Sequence, residues 1–306
     1  MIELRRAGKR YRSWLGREIR ALDDVTLDLC AGEVFGIAGP NGAGKSTLIA
    51  LLLGFLAPSE GIIRIHGMEP RRWVERHGAG YLSELVNIPP GWRVADAIRR
   101  YALLSGVAPA EVTRHTNDAI ERLGLAEHAS KRVRQLSKGN LQRLGLAQAL
   151  LGDARLVILD EPTHGLDPVW TQRFRSIVDD LRRPDRLILI ASHNLDELSR
   201  LADRVGIVDR GRLQRVVDMH EAAPLPGATA VYRVIVAQGE AHVPSAFRGA
   251  RHVAGGEFVL PEMSLEAMNA GVVALIGAGA LVRAVYPAHS ALEQQFRAAV
   301  QDGDSA

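Results

Sequence analysis

With 306 residues, 47% of them apolar, the chain has material for one large domain and a smaller one. A net charge of +3 without a basic tail gives no reason to expect nucleic acid, and a single cysteine, Cys30, excludes an intramolecular disulfide and fits a reducing compartment. The longest apolar run, residues 270–282, is shorter than the roughly 20 residues a bilayer crossing needs, so the chain reads as soluble and any membrane role is expected to come through a partner.

In chain order, residues 2–35 read as β-rich. Residues 21–29 alternate apolar and polar, as a half-buried antiparallel strand does. Cys30 reads as a small buried residue of that strand. Ala31-Gly32-Glu33 reads as a hairpin turn into an apolar strand over 33–38. Upstream, Tyr11 is either an ordinary strand aromatic or a ring on which a base stacks.

The run Gly39-Pro40-Asn41-Gly42-Ala43-Gly44-Lys45-Ser46-Thr47 then fits G-x-x-x-x-G-K-[ST] at each fixed position. This is a phosphate-binding loop. Its glycines let successive backbone N–H groups turn around phosphate oxygens. Lys45 is placed to reach the β- and γ-phosphates, and the Ser46 hydroxyl to bind Mg²⁺. The context agrees, since a strand precedes the loop and a helix over 47–53 follows, its N-terminus facing the anion.

A short strand over 62–67 and a buried one over 80–84, ending at the carboxylate of Glu84, come next. After a Pro- and Gly-rich loop, residues 94–104 and 109–123 are helical, so a helical insert is expected over about 86–150. Trp92, Val94 and Ile98 either line a groove for a helix of another protein or, for the two aliphatics, pack inside the insert. Leu136-Ser137-Lys138-Gly139-Asn140 precedes a helix over 141–151. Residues 156–161 form an apolar strand ending in Asp160 and Glu161, and 187–193 a second ending in His193, with a helix over 169–181 between them. Continuous apolar strands alternating with helices indicate a doubly wound α/β sheet with ligands at the carboxyl ends of its strands. Ser46, Asp160, Glu161 and His193 all fall at or just past such ends.

A hairpin over 205–213 closes a first domain, residues 1–219. Residues 220–228 read as a linker. Residues 229–306 read as a small α+β domain with strands over 231–236, 256–260 and 281–286 and a helix over 263–277. A last helix over 290–300 is expected, with Ser290 as N-cap and Glu293 at the capping-box position.

An Asp at the end of an apolar strand in a protein with a phosphate loop is placed to hold Mg²⁺, and a Glu directly after it can orient and deprotonate an attacking water. With Leu136-Ser137-Lys138-Gly139-Asn140 between the phosphate loop and this acid pair, residues 2–219 resemble the nucleotide-binding subunit of an ABC transporter. The resemblance implies a mixed core sheet with an antiparallel β-subdomain and a helical insert. It also implies ATP and Mg²⁺ as cofactors, with Ser46, Glu84 and Asp160 around the metal. Two copies would face head to tail, each ATP lying between the phosphate loop of one and Ser137 and Gly139 of the other. Tyr11 matches the aromatic that stacks on adenine, Glu161 the catalytic base, and His193 the histidine that senses the γ-phosphate. Gly165-Leu166-Asp167 matches the loop that crosses to the second copy. An integral membrane permease would be the other partner, which puts the chain at the cytoplasmic face of the membrane as a peripheral subunit.

Three departures from the family pattern stand out: Glu84 stands where Gln is usual, Lys138 and Asn140 replace Gly and Gln, and His164 replaces a small hydroxyl residue. A carboxylate at 84 can accept from Mg²⁺-bound water but cannot donate as an amide does. Glu84, the Lys-Gly-Asn variant and the C-terminal addition resemble subunits of the ABC-2 export type. Import or accessory subunits, and soluble ABC ATPases that do not transport, are the alternatives. The latter usually carry two nucleotide domains or a coiled-coil insertion, and neither is seen in this sequence.

Overall fold

The computed structural model describes residues 1–12, 18–220 and 229–288, with Leu292, Glu293, Gln295, Phe296 and Ala299. Two units are distinguished by their internal contacts, one of residues 1–220 together with Ala299, the other of the described residues between 221 and 298. In the first, β1 (Ile2–Arg12) and β2 (Glu18–Leu29) pair antiparallel. Strand β3 (Val34–Ala38) is buried at all five positions. After helix α1 (Lys45–Leu52), β4 (Glu60–Ile65) returns to β1 and completes a three-stranded antiparallel sheet in the order β2-β1-β4.

Residues 31–33 do not form a hairpin, because β2 and β3 lie in different sheets. A strand apolar at every position needs cover on both faces, which half-exposed β2 could not share. Gly32, with φ of 88° and its N–H donating to the Arg186 carbonyl (2.8 Å), carries the chain between them. Cys30 is exposed and lies just past β2. The strand's alternation turns Leu29 inward and its neighbour outward.

Next come α2 (Pro70–His77), β5 (Gly80–Leu82), α3 (Val94–Leu104), α4 (Val112–Arg122), α5 (Lys138–Leu150), β6 (Leu156–Asp160), α6 (Pro168–Leu181), β7 (Leu187–Ser192), α7 (Leu195–Leu201), β8 (Arg204–Asp209) and β9 (Arg212–Asp218). The second sheet has the order β5-β6-β7-β3-β8-β9. Its first five strands are parallel and β9 pairs antiparallel with β8. The fold is the mixed α/β architecture expected, with an antiparallel subdomain and the helices α3 to α5 inserted between β5 and β6. One apolar cluster, including Leu4, Val25, Phe35, Leu48, Ile158 and Leu189, joins both sheets to α1.

Within the insert, Val94 and Ile98 are fully buried on one face of α3 with Ala97 and Ala102, so they belong to the core and line no groove. Their spacing of four residues puts them on one helix face. Trp92 is half-buried, with the Arg100 guanidinium 4.7 Å from its ring centre.

The second unit is a four-stranded antiparallel sheet in the order β11-β12-β10-β13, built from β10 (Tyr232–Gln238), β11 (Arg251–Ala254), β12 (Glu257–Val259) and β13 (Leu281–Pro287). Its helices are α8 (Val243–Ala246) and α9 (Leu265–Gly277). Val234, Phe247, Phe258 and Leu275 lie in its core. Strand β11 escaped the sequence reading because it is an edge strand exposed at all four positions, with no alternation to mark it. Linker residues 221–228 and the N-cap Ser290 lie outside the described residues, as does most of the expected terminal helix. Among the described residues no helix is long and apolar enough to cross a membrane.

Candidate functional site

Strand β3 ends at Ala38, and the loop Gly39–Gly44 turns directly into α1. Two positions show why glycine is needed. A Cβ at Gly39 would collide with the Val208 carbonyl oxygen, and Gly44 holds φ of 110° with the Ala21 carbonyl 2.6 Å from where its Cβ would stand. Helix α1 has no side-chain cap, so its first N–H groups remain available to an anion. The Lys45 ammonium is buried and donates to the carbonyls of Gly39 (2.7 Å) and Pro40 (3.3 Å).

A cleft of about 270 Å³ opens beside this loop, lined by Asn41, Lys45, Ser46, Glu84, Asp160 and Glu161 among others. The strand order places the acid pair there, because β6 is separated from β3 by β7 alone. Burial pushes the Asp160 carboxyl up to about 6, with Glu84 and Glu161 adding to the rise. The nearby Lys45 charge and a hydrogen bond with Ser46 act against it. A hydroxyl and crowded carboxylates form an all-oxygen donor set suited to a hard dication. Among the described residues no three His, Cys, Asp or Glu side chains form a metal cage. Mg²⁺ requires none, since it commonly binds one or two carboxylates alongside phosphate oxygens and water. The residues present therefore fit Mg²⁺ held together with a phosphate ligand.

Glu161 lies one residue beyond β6 with φ of 48°, a left-handed conformation uncommon for a residue with a Cβ. Its N–H donates to Ala191 O (2.9 Å). Its carboxylate accepts from the His193 backbone N–H (3.0 Å) and lies 2.9 Å from His193 Nδ1. Two buried side chains that sequence reasoning missed surround this strained stretch. Gln142 donates from Nε2 to the carbonyls of Glu161 (3.1 Å) and Pro162 (3.0 Å). Glu197 accepts from Thr163 Oγ1 (2.6 Å), and burial pushes its carboxyl up. Burial of a Gln and a Glu amid charged segments leaves no mark in the sequence. The only available signal was their position on helices adjoining residues 136–140, the signature loop of the family resemblance, and His193.

Ser137 is the N-cap of α5, its Oγ accepting from the Asn140 N–H (3.3 Å). Gly139 packs against the loop after Glu161, where a Cβ would stand 2.9 Å from Gly165 O. Lys138 Nζ lies 2.8 Å from His164 Nε2. Neither Ser137 nor Gly139 lines the cleft. Tyr11 is exposed, pairs with Ile19 across β1 and β2, and is also absent from the lining. The fold thus gathers Lys45, Ser46, Glu84, Asp160 and Glu161 at one place with His193 bonded to Glu161, and holds Ser137, Gly139 and Tyr11 apart from that cleft.

Comparison with known proteins gives the family. The profile of the ABC transporter family matches residues 22–164. An ABC transporter ATP-binding protein of Nostoc is 38% identical over 217 residues, covering 67% of this chain and 62% of the relative. The methionine import ATP-binding protein MetN of Caulobacter vibrioides is 37% identical over 200 residues, covering 63% and 60%. The ABC transporter ATP-binding protein NatA of Bacillus subtilis is 30% identical over 217 residues, covering 70% and 87%. The chain thus spans less than two thirds of the length of the first two. Among solved structures, a dimeric post-hydrolysis ATP-binding cassette bound to ADP and Pi superposes with a TM-score of 0.66 at 22% identity, over 72% of this chain and 99% of that one, a likeness of fold. The ATP-binding subunit of an ABC transporter gives 0.65 at 26% identity, over 72% and 91%. These relatives do not single out an export type.

Proposed function

Because the chain belongs to the family of ABC transporter ATP-binding proteins, we propose that it hydrolyses ATP as a head-to-tail dimer and so drives a separate membrane permease. The observation that carries the reading is Glu161, held by His193 beside the cleft of Lys45, Ser46 and Asp160. In this reading the β- and γ-phosphates lie on the Gly39–Gly44 backbone and the start of α1. Lys45 leaves its loop carbonyls for phosphate oxygen, and Tyr11 stacks on adenine. Ser46 and Asp160 would hold Mg²⁺, with the Glu84 carboxylate beside them as a further acceptor, and the ion would supply neutralisation of the charge developing on the phosphates. Glu161 takes the proton of the attacking water, and His193 fixes that carboxylate through its backbone N–H and its ring. Ser137 and Gly139 of a second copy close the site from the far side, and ATP favours the closed pair.

The permease contact is assigned to Glu84 and the exposed Leu85 beside it, which places the chain at the cytoplasmic face of the membrane as a peripheral subunit. An ABC-2 type exporter is the finer reading, supported by Glu84, by Lys138 and Asn140, and by the α+β unit after residue 220. The methionine import ATP-binding relatives favour an import system instead, and the sequence of the co-purifying permease decides between the two. Glu161→Gln tests the chemistry. Turnover is expected to fall by about 10²-fold or more, with ATP binding kept and an MgATP-dependent dimer seen by light scattering. Turnover at the wild-type rate would remove Glu161 as the base.

A further inference from the structure

We infer that Gln142 is a positioning residue that couples the two nucleotide sites of the dimer, an inference that rests on the dimeric reading above. Glu161 occupies the left-handed region at φ of 48°, a strained conformation that persists only where its surroundings hold it. Beyond the bonds between His193 and the Glu161 carboxylate, three ties from neighbouring elements hold this stretch. The Glu161 N–H is bonded to Ala191 O of β7. The Thr163 hydroxyl donates to Glu197 at the start of α7. The carbonyls of Glu161 and Pro162 both accept from the single amide nitrogen of Gln142. Gln142 is 4% exposed, so water does not replace it when it moves. An apolar side chain there would remove both bonds, leaving the Glu161 carbonyl with the His164 N–H (3.1 Å) alone.

The first two ties come from the strand and helix on either side of His193, which belong to the same site as Glu161. The third does not. Gln142 stands five residues after Ser137 on α5, the helix whose first turn the signature loop forms. That first turn also packs directly on the loop after Glu161, with the Gly139 position against Gly165 O and the Lys138 stem against Gly165. In a head-to-tail dimer Ser137 and Gly139 meet the nucleotide of one site, while Glu161 of the same chain acts on the other. A phosphate drawn onto the start of α5 would shift or steady that helix. Gln142 transmits the change to the backbone carrying the base of the opposite site. Each site is thus fully competent only when the other is occupied, a reciprocal coupling.

The test uses the purified full chain. Hydrolysis is measured against MgATP concentration for the wild type, for Gln142→Met, which keeps the size and loses the donors, and for Gln142→Asn, which keeps the donors one methylene too short. Nucleotide affinity by direct titration and the melting temperature are followed for each. The wild type is expected to show a Hill coefficient of about 2 for its two sites. In both variants the coefficient falls to about 1 and kcat about tenfold, with the affinity of the Lys45 loop changed less than about twofold. A wild-type Hill coefficient in either folded variant overturns the coupling. So does a fall in kcat with the coefficient unchanged, which would make Gln142 a structural residue only. A wild type that hydrolyses without cooperativity also overturns it, while one that does not hydrolyse MgATP at all overturns the ATPase reading and this inference together.

Discussion

Helices α1 and α5 both begin with small residues that can face an anion, and they are built in opposite ways. The loop into α1 is walled in. Backbone from Val208 and Ala21 presses on Gly39 and Gly44, Lys45 is buried, and carboxylates stand behind Ser46. The loop into α5 is open. Ser137 is exposed and caps its own helix, and Lys138 is turned to His164. A helix start enclosed by its own fold makes a pocket. One whose polar groups face outward makes half of an interface.

The largest test of that contrast is Lys45→Ala. Removing a buried ammonium from the walled loop is expected to weaken ATP binding by roughly 100-fold, about 3 kcal/mol, in direct titration. A wild-type affinity would mean that the pocket does not hold the phosphates.

Asp160 gives an effect of the next size. Its folded pKa of about 6 exceeds the ordinary 3.8, so between about pH 4 and 6 the folded chain keeps a proton that the unfolded chain has lost. Stability of the nucleotide- and metal-free chain is therefore lost as pH rises through this window, by roughly 2–3 kcal/mol from this group. Thermal unfolding in chelator should show the wild type declining relative to Asp160→Asn from pH 4 to 7. Parallel profiles would mean that the cleft does not bury a carboxylate.

The smallest effect belongs to the open loop. Ser137→Ala removes an N-cap, at a cost of about 1 kcal/mol in unfolding experiments. It is expected to slow turnover about tenfold while leaving the nucleotide affinity of a single chain intact. If affinity fell as far as in Lys45→Ala, the two loops would belong to one pocket and the contrast would fail.

The phosphate loop, the apolar strands and the acid pair were legible in the sequence because each is a contiguous run whose chemistry depends on neighbours a few residues away. Lys45 and Ser46 at a helix start, and Asp160 and Glu161 at a strand end, keep those places in the structure, at the edge of one cleft. Gln142 and Glu197 were not legible, since nothing nearby in the chain distinguishes a buried amide or carboxyl from an exposed one. Their partners lie 19 to 34 residues away.

By itself the sequence determined the local parts: a glycine-rich turn that only these residues can make, strands apolar at every position, and a resemblance that named the family. Tertiary structure decided how the parts meet. It assigned β2 and β3 to separate sheets, buried Val94 and Ile98, and left Cys30 exposed. It clamped Glu161 to His193, and kept Ser137 and Gly139 out of the cleft that Lys45 lines. The reason is physical. Turn and strand propensities are settled within a few residues, whereas burial and strand pairing depend on which faces the whole chain can cover at once.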